Sequence, residues 1–325
     1  MKRRSLICAL PALSVSVPKA ALAQSHAFPA KPLRYIVPVS AGGGSDLVGR
    51  TVCERWGKLL GQPFVVENIG GGGGLLASQA TVRAPADGYT LMQGYVTTHA
   101  TSPATRKLPF DVIKDFTAIG MIGGTPNVLV VNVDLPVKNL SEFADYLRQQ
   151  PGKLSYGSAG MGSLTHLTME LLKQTLNGFM VHVPYRGISP AFNDLLGGQT
   201  QAMFPGLAAG LPHIRSGRVR ALAVTGARRA PVLKDVPTMV ELGFKGFDAL
   251  QWYGVVGPAG MPAPVIKQLN DTLVTVLRAP DLAERLAAEA VEPMPMSAEQ
   301  FGRYIQDDLA RWTRLARERK IEVEA

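Results

Sequence analysis

Leu33-Arg34-Tyr35-Ile36-Val37-Pro38-Val39-Ser40-Ala41-Gly42-Gly43-Gly44-Ser45-Asp46 is the stretch that decides the fold class. Its first five residues read as a short buried strand. Pro38 ends that run, and three glycines give the backbone the freedom a tight loop needs. From Ser45 the apolar residues Leu47, Val48, Val52, Trp56, Leu59 and Leu60 recur at helical spacing. Strand, glycine loop and helix repeat at once. Phe64-Val65-Val66 is a strand, Gly70 to Gly74 a glycine run, Leu75 to Val82 a helix, and Tyr89-Thr90-Leu91-Met92 a further strand after the Asp87-Gly88 turn. Strands alternating with helices predict a sheet covered on both faces.

The pattern restarts near Gly123-Gly124-Thr125-Pro126. Val128 to Val131 is a strand, Ser141 to Gln150 a helix, and Leu154-Ser155-Tyr156 a strand that runs into Gly157-Ser158-Ala159-Gly160-Met161-Gly162-Ser163. The helix that follows carries Leu164, Leu167, Leu171, Leu172 and Leu176. Strand-like runs at 179–183, 202–204 and 221–224 and a helix over 190–196 continue the series. The last 65 or so residues are mainly helical, with Ser297-Ala298-Glu299-Gln300 as a capping box. That tail has no sheet of its own and must pack on an earlier one. The expected organisation is two α/β lobes, residues 28–125 plus about 246–325 and residues about 126–245.

Composition narrows the function classes. The chain has 325 residues, 46% hydrophobic and 18% charged, a globular balance suited to two ordinary domains. No block after the first thirty residues reaches the roughly 18 apolar residues that cross a bilayer. The formal charge of +9 is concentrated at the start, where Lys2, Arg3, Arg4 and Lys19 have no acidic neighbours; without them 30 basic residues face 25 acidic ones. Basic patches interleaved with aromatics are absent, so nucleic-acid binding is not expected. A charged n-region, an apolar run from Ser5 to Val17 and the small residues Ala21-Leu22-Ala23 predict an export signal over residues 1–23 and an extracytoplasmic protein. Its cleavage leaves Cys53 alone, on an apolar helical face, with no internal disulfide possible.

The junctions 38–46 and 157–163 carry the chemistry. Each ends in a serine, Ser45 or Ser163, placed as an N-cap. A helix start with free N–H groups and its dipole attracts an anion without Arg or Lys. One such loop per lobe suggests a cleft that grips an anion from two sides; plain turns with self-satisfied caps are the alternative. Asp46 reads first as a favourable dipole partner and second as an orienter of the loop. His166, in the first turn of the second helix, reads as structural or as a donor to a carboxylate. Nucleotide and hydrolase motifs fail: Gly42-Gly43-Gly44-Ser45-Asp46-Leu47 lacks the third glycine of a dinucleotide loop, Gly70 to Gly74 has no Gly-Lys-Ser/Thr after it, and Tyr156 stands where a nucleophile elbow needs glycine. His99 and His182 lie in no metal-ligand spacing. No metal, no cofactor and no enzymatic activity are expected.

Ten ordered stretches resemble the solute-binding proteins of tripartite tricarboxylate transporters, the Bug family. They are Lys31 to Pro38 with Ala41 to Asp46, Val65-Val66-Glu67-Asn68, Ala86-Asp87-Gly88-Tyr89-Thr90-Leu91, Pro151 to Ser158, His182-Val183-Pro184-Tyr185-Arg186-Gly187, Asp194 to Gln199, Arg220 to Thr225, Asp235-Val236-Pro237-Thr238 and Pro258-Ala259-Gly260-Met261-Pro262. The resemblance implies a type II periplasmic binding fold, or Venus flytrap: two α/β lobes joined by a hinge, with the ligand cleft between them. It implies a monomer that binds a small carboxylate and delivers it to membrane permease subunits or to a sensor protein. It also implies ligand contacts from Ser40, Ala41, Gly42, Gly43, Ser45 and Asp46, from Ser158, Ala159, Gly160, Ser163 and His166, and secondarily from Thr98 and Pro205. Two departures stand out. Pro205 occupies a position that is commonly acidic in the family, which argues against an amino-acid ligand, and Ile69-Gly70 replaces Arg-Pro after the Glu-Asn pair.

Overall fold

The computed structural model describes residues 28–42, 44–247, 249–288 and 290–323. The export signal expected over residues 1–23 lies outside the described residues, as does Gly43.

The first half builds one sheet from β1 (Leu33–Val37), β2 (Phe64–Asn68), β3 (Thr90–Tyr95) and β4 (Phe116–Pro126). Helix α1 (Gly44–Leu60) joins β1 to β2, and α2 (Leu75–Val82) joins β2 to β3. A π-turn at Thr97–Thr101 and the short α3 (Ser102–Thr105) follow β3. The chain then leaves for a second sheet. There β5 (Val128–Asn132), α4 (Leu140–Gln149), β6 (Ser155–Ser158), α5 (Leu164–Thr175), β7 (Val181–Pro184), α6 (Ile188–Leu196), β8 (Ala202–Met203), α7 (Leu207–Arg215) and β9 (Val219–Val224) succeed one another. It returns through β10 (Leu250–Pro258) and ends with α8 (Ala263–Leu277), α9 (Pro280–Ala288), the two-residue β11 (Glu292–Pro293) and α10 (Ala298–Glu318).

The first sheet has the order β11-β4-β10-β3-β1-β2, and the second β7-β6-β8-β5-β9. In the first, β1 pairs in parallel with β2 and β3, as βαβ crossovers require, while β10 runs antiparallel between β3 and β4. The chain therefore changes sheets between 126 and 128 and again between 224 and 250. This is the two-lobed α/β architecture. The tail, expected to be mainly helical and without a sheet of its own, also supplies an edge strand to the first sheet, because Glu292 and Pro293 pair with Gly124 and Gly123.

Each lobe has its own core. Trp56, fully buried, stacks on Phe64 at 4.8 Å, and Cys53 is buried beside it. In the second lobe Leu129, Phe143, Tyr156 and Phe204 are buried together. A third cluster joins the lobes: Leu164 and Leu167 of α5 share it with Trp252, Trp312 and Leu315. At the crossings, the Asn127 N–H donates to Thr225 Oγ1 at 2.9 Å and Thr225 Oγ1 donates to the Ala249 carbonyl at 2.6 Å, so one hydroxyl ties both connecting segments together. No helix among the described residues is long and apolar enough to cross a membrane.

Candidate ligand cleft

The first loop follows β1 at the point where the apolar strand ends. Gly42 has φ +87° with open space around the position a Cβ would take, so conformation rather than crowding requires glycine. Behind the loop sits Asp46, 3% exposed. Its carboxylate accepts from Gly42 N–H at 2.9 Å, from Arg50 Nε at 3.0 Å and from Asn68 Nδ2 at 2.9 Å. Asn68 also donates to the Val39 carbonyl and accepts from Arg50 Nη2. Burial alone would raise the Asp46 pKa, but the Gly42 N–H, Arg50 and Asn68 hold it below its ordinary value. Asp46 is thus turned inward as the fastener of the loop, the second of the two roles its position allowed.

Ser45 is not an N-cap. The helix has already begun at Gly44, and Ser45 Oγ accepts from Gln93 Nε2 at 2.7 Å, while the same amide nitrogen donates to the Ser45 carbonyl. A buried glutamine on β3 therefore clamps the first turn of α1. Ser40 and Ala41 are exposed on the loop.

Ser163, by contrast, is the N-cap of α5 and accepts from His166 N–H. The second loop is wired through hydroxyls. Ala159 N–H donates to Thr165 Oγ1 at 2.9 Å, Thr165 meets Ser163 Oγ at 2.9 Å, and Ser163 Oγ donates to the Gly160 carbonyl at 2.6 Å. The one proton on Ser163 goes to that carbonyl, so Thr165 must donate to Ser163, and the chain runs in one direction. Gly160 N–H donates to Ser158 Oγ and Gly162 N–H to His166 Nδ1. Among the described residues nothing takes the N–H groups of Met161, Leu164 and Thr165. Part of the loop is self-satisfied and part remains free.

Behind this loop stands a column of rings that the sequence gives no hint of. His166 stacks on His182 at 3.9 Å and 7°, and His182 stacks on Tyr156 at 4.8 Å and 15°. Ser158 Oγ lies 2.7 Å from His182 Nε2. Burial pushes the pKa of His166 down to about 4, and burial with the neighbouring His166 pushes His182 down to about 3, so both rings are neutral. Tyr156 donates to Glu170, and the buried Glu170 also accepts from Lys173 at 2.6 Å and from Arg319 at 2.9 Å. Arg319 follows α10, so this carboxylate ties α5 to the first lobe.

The floor between the loops is the 97–105 segment with the Gly70–Gly74 run. Gly71, Gly72, Gly73 and Gly74 all have positive φ. A Cβ on Gly74 would lie 2.3 Å from Thr98 Cγ2, one on Gly70 3.2 Å from Ser40 N, and one on Gly73 3.2 Å from Ser102 Oγ, a buried hydroxyl with no partner. Thr98 belongs to this floor. Its hydroxyl donates to the Tyr95 carbonyl and accepts from the Tyr95 N–H and from His99 Nδ1, and only 2% of it is exposed. Gly162 closes the other side, where a Cβ would come within 2.5 Å of Thr105 Oγ1. Pro205 is buried, its carbonyl accepting from Val128 N–H at the crossing. Ser40 and Gly162 thus border this floor from opposite loops, Asp46, Ser45, Thr98 and His166 are engaged in hydrogen bonds within or beneath the loops, and Pro205 lies at the crossing.

Two cavities lie elsewhere: about 600 Å³ along α10, and about 870 Å³ between the lobes beside β11. Among the described residues no group of three His, Cys, Asp or Glu side chains could hold a metal ion.

Comparison with known proteins agrees with this architecture. The chain is 33% identical to BugT of Bordetella pertussis, covering 92% of both proteins. It superposes on R. palustris Rpa4515, solved with adipate, at TM-score 0.81 and 33% identity, over 91% of this chain and 99% of that one. MatC from Rhodopseudomonas palustris, solved with bound malate, gives 0.76 and 33%, over 89% and 99%. The sequence pattern of the tripartite tricarboxylate transporter family receptors matches residues 48–321. The chain belongs to that receptor family.

Proposed function

We propose that this chain is a periplasmic receptor that takes up a small carboxylate between the 38–46 and 157–163 loops and passes it to a membrane permease of the tripartite tricarboxylate type. The observation that carries the reading is the pair of strand–loop–helix junctions, one from each lobe, bordering a common floor. The free N–H groups of Met161, Leu164 and Thr165 at the α5 start suit a carboxylate, and the unpaired Ser102 hydroxyl adds a donor on the floor. Arg50 is consumed by Asp46 and Asn68, so recognition rests on neutral donors and the helix dipole. Adipate and malate, held by two relatives, set the class to be tried first: short dicarboxylates. Closure of the lobes on the ligand by hinge motion at the two crossings completes the cycle.

Binding is tested on protein unfolded and refolded to strip any copurified ligand. A true ligand at 100 times its Kd adds about 2.7 kcal/mol of stability. Ala41→Trp and Ala159→Trp each place an indole in the cleft, and each should weaken the dicarboxylate at least a hundredfold with the unliganded Tm nearly unchanged. Unchanged affinity in both variants would reject the two-loop site.

A second reading, an esterase, has one contact in its favour: Ser158 Oγ at 2.7 Å from His182 Nε2. Against it, Ser158 is fully buried, and among the described residues no carboxylate orients the other ring nitrogen of His182. Turnover of p-nitrophenyl acetate that disappears in Ser158→Ala would establish it.

A further inference from the structure

On the far side of the crossing strands from the two loops, the lobes enclose a second space of about 870 Å³. The first loop and the floor follow β1 and β3, whereas this cavity borders β4 and β11, with β10 between them in the sheet order. In the second sheet β8 and β5 separate the β6 loop from β9, beside which Thr225 lines the cavity. Leu207, Val232 and Phe247 line it from the second lobe, and Ala283, Val291 and Met294 from the first. Its volume is within the range of small-molecule sites, roughly 300–1,000 Å³. The interior offers little to a polar guest, since the Thr225 hydroxyl on its wall is already committed at the crossing.

Charge is confined to the rim. Arg228 pairs with Glu292 of the opposite lobe, and Arg229 pairs with Glu241 at 2.7 Å and donates to the Lys234 carbonyl at 3.0 Å. Arg228 and Glu292 are 77% and 61% exposed, and ion pairs this wet exchange partners at little cost. An incoming anion can thus replace Glu292 on Arg228 while its apolar body enters between the lobes. We propose that this cavity is a second ligand site, for a small amphipathic anion: an apolar chain or ring pair of about ten carbons with a single carboxylate or sulfonate head. This chemistry is the opposite of a short polar dicarboxylate, and the site stands or falls independently of the cleft.

The probe is 1-anilinonaphthalene-8-sulfonate, titrated by fluorescence into the exported protein. Saturation at one molecule per chain is expected, with displacement by decanoate and not by decylamine. Ala283 and Ala287 lie one turn apart on α9 and both line the cavity. Ala283→Trp fills the space and should weaken the probe at least tenfold. Arg228→Gln, entirely at the surface, should weaken it about threefold and keeps the test alive if the tryptophan variant fails to fold. Ala159→Trp, in the cleft, should leave probe binding unchanged, which separates this site from the proposed carboxylate site. Non-saturable fluorescence, equal displacement by decylamine, or full affinity in both cavity variants would overturn the proposal.

Discussion

The two loops that border the cleft present the same element, a helix start, and are fastened by different chemistry. In the first lobe a single buried carboxylate, Asp46, gathers the Gly42 N–H, Arg50 and Asn68. In the second lobe the fastening is neutral: a one-way chain of hydroxyls from Ala159 to Gly160, and a pair of stacked histidines that accept from Gly162 and meet Ser158. The contrast has a cause in position. The first loop leans on a β2 residue and an exposed arginine, so water helps to solvate the ion pair. The second lies on α5, which shares a core with the other lobe, and an uncompensated charge there would be costly.

The sharpest way to break the comparison is Asp46→Ala. It strands a half-exposed arginine, an asparagine and a backbone donor around an empty place, and should cost about 2–4 kcal/mol in urea unfolding. Asp46→Asn, which keeps part of the network, should cost clearly less. Because its folded pKa lies below the ordinary 3.8, Asp46 contributes stability that is complete above that value and is lost as pH falls through the folded one. Its signature belongs below about pH 4. A loss in Asp46→Ala no larger than that of a surface substitution would show that the loop is held by something else.

The second loop should answer to milder acid. His166 accepts the Gly162 N–H through Nδ1, so protonation removes that bond and sets a cation 3.9 Å from His182. Both folded pKa values lie well below the ordinary 6.5. Stability from the pair is therefore complete above pH 6.5 and declines as pH falls toward the folded values. Between pH 7 and pH 5 the loss should be about 1–2 kcal/mol, after discounting the part-exposed His182 for solvent screening. His182→Gln should flatten that slope, and an unchanged slope would remove the column from the account.

What could be read from sequence follows the same divide. The junctions at 38–46 and 157–163 are legible because glycine, serine and helical spacing are local signals. Their fasteners are not, since Asn68, Gln93 and His182 sit on other strands and reach the loops only through the sheet. Strand β4 escapes periodicity for a packing reason. A Cβ on Gly123 would lie 2.3 Å from the Glu292 carbonyl oxygen, and one on Gly124 2.5 Å from Leu250. The glycines that let β11 and β10 approach are the ones that erase the apolar pattern. The change of sheet between β4 and β5 coincides with a restart of the strand series in the sequence, while the contribution of β11 rests on two residues with no periodicity to detect.

The finest test compares two serines that look alike in sequence. Ser163 satisfies the first turn of α5 and also relays the hydroxyl chain, so Ser163→Ala removes a cap and a link together and should cost about 1–2 kcal/mol. Ser45 lies one residue inside α1 and accepts only from Gln93, whose amide keeps its bond to the Ser45 carbonyl. Ser45→Ala should therefore cost about 0.5 kcal/mol. Equal losses in the two would mean that Ser45 caps its helix after all, and that the loops are fastened more alike than their hydrogen bonds indicate. A clear gap would trace the difference to one fact of geometry, the start of the helix at Gly44 in one lobe and at Leu164 in the other.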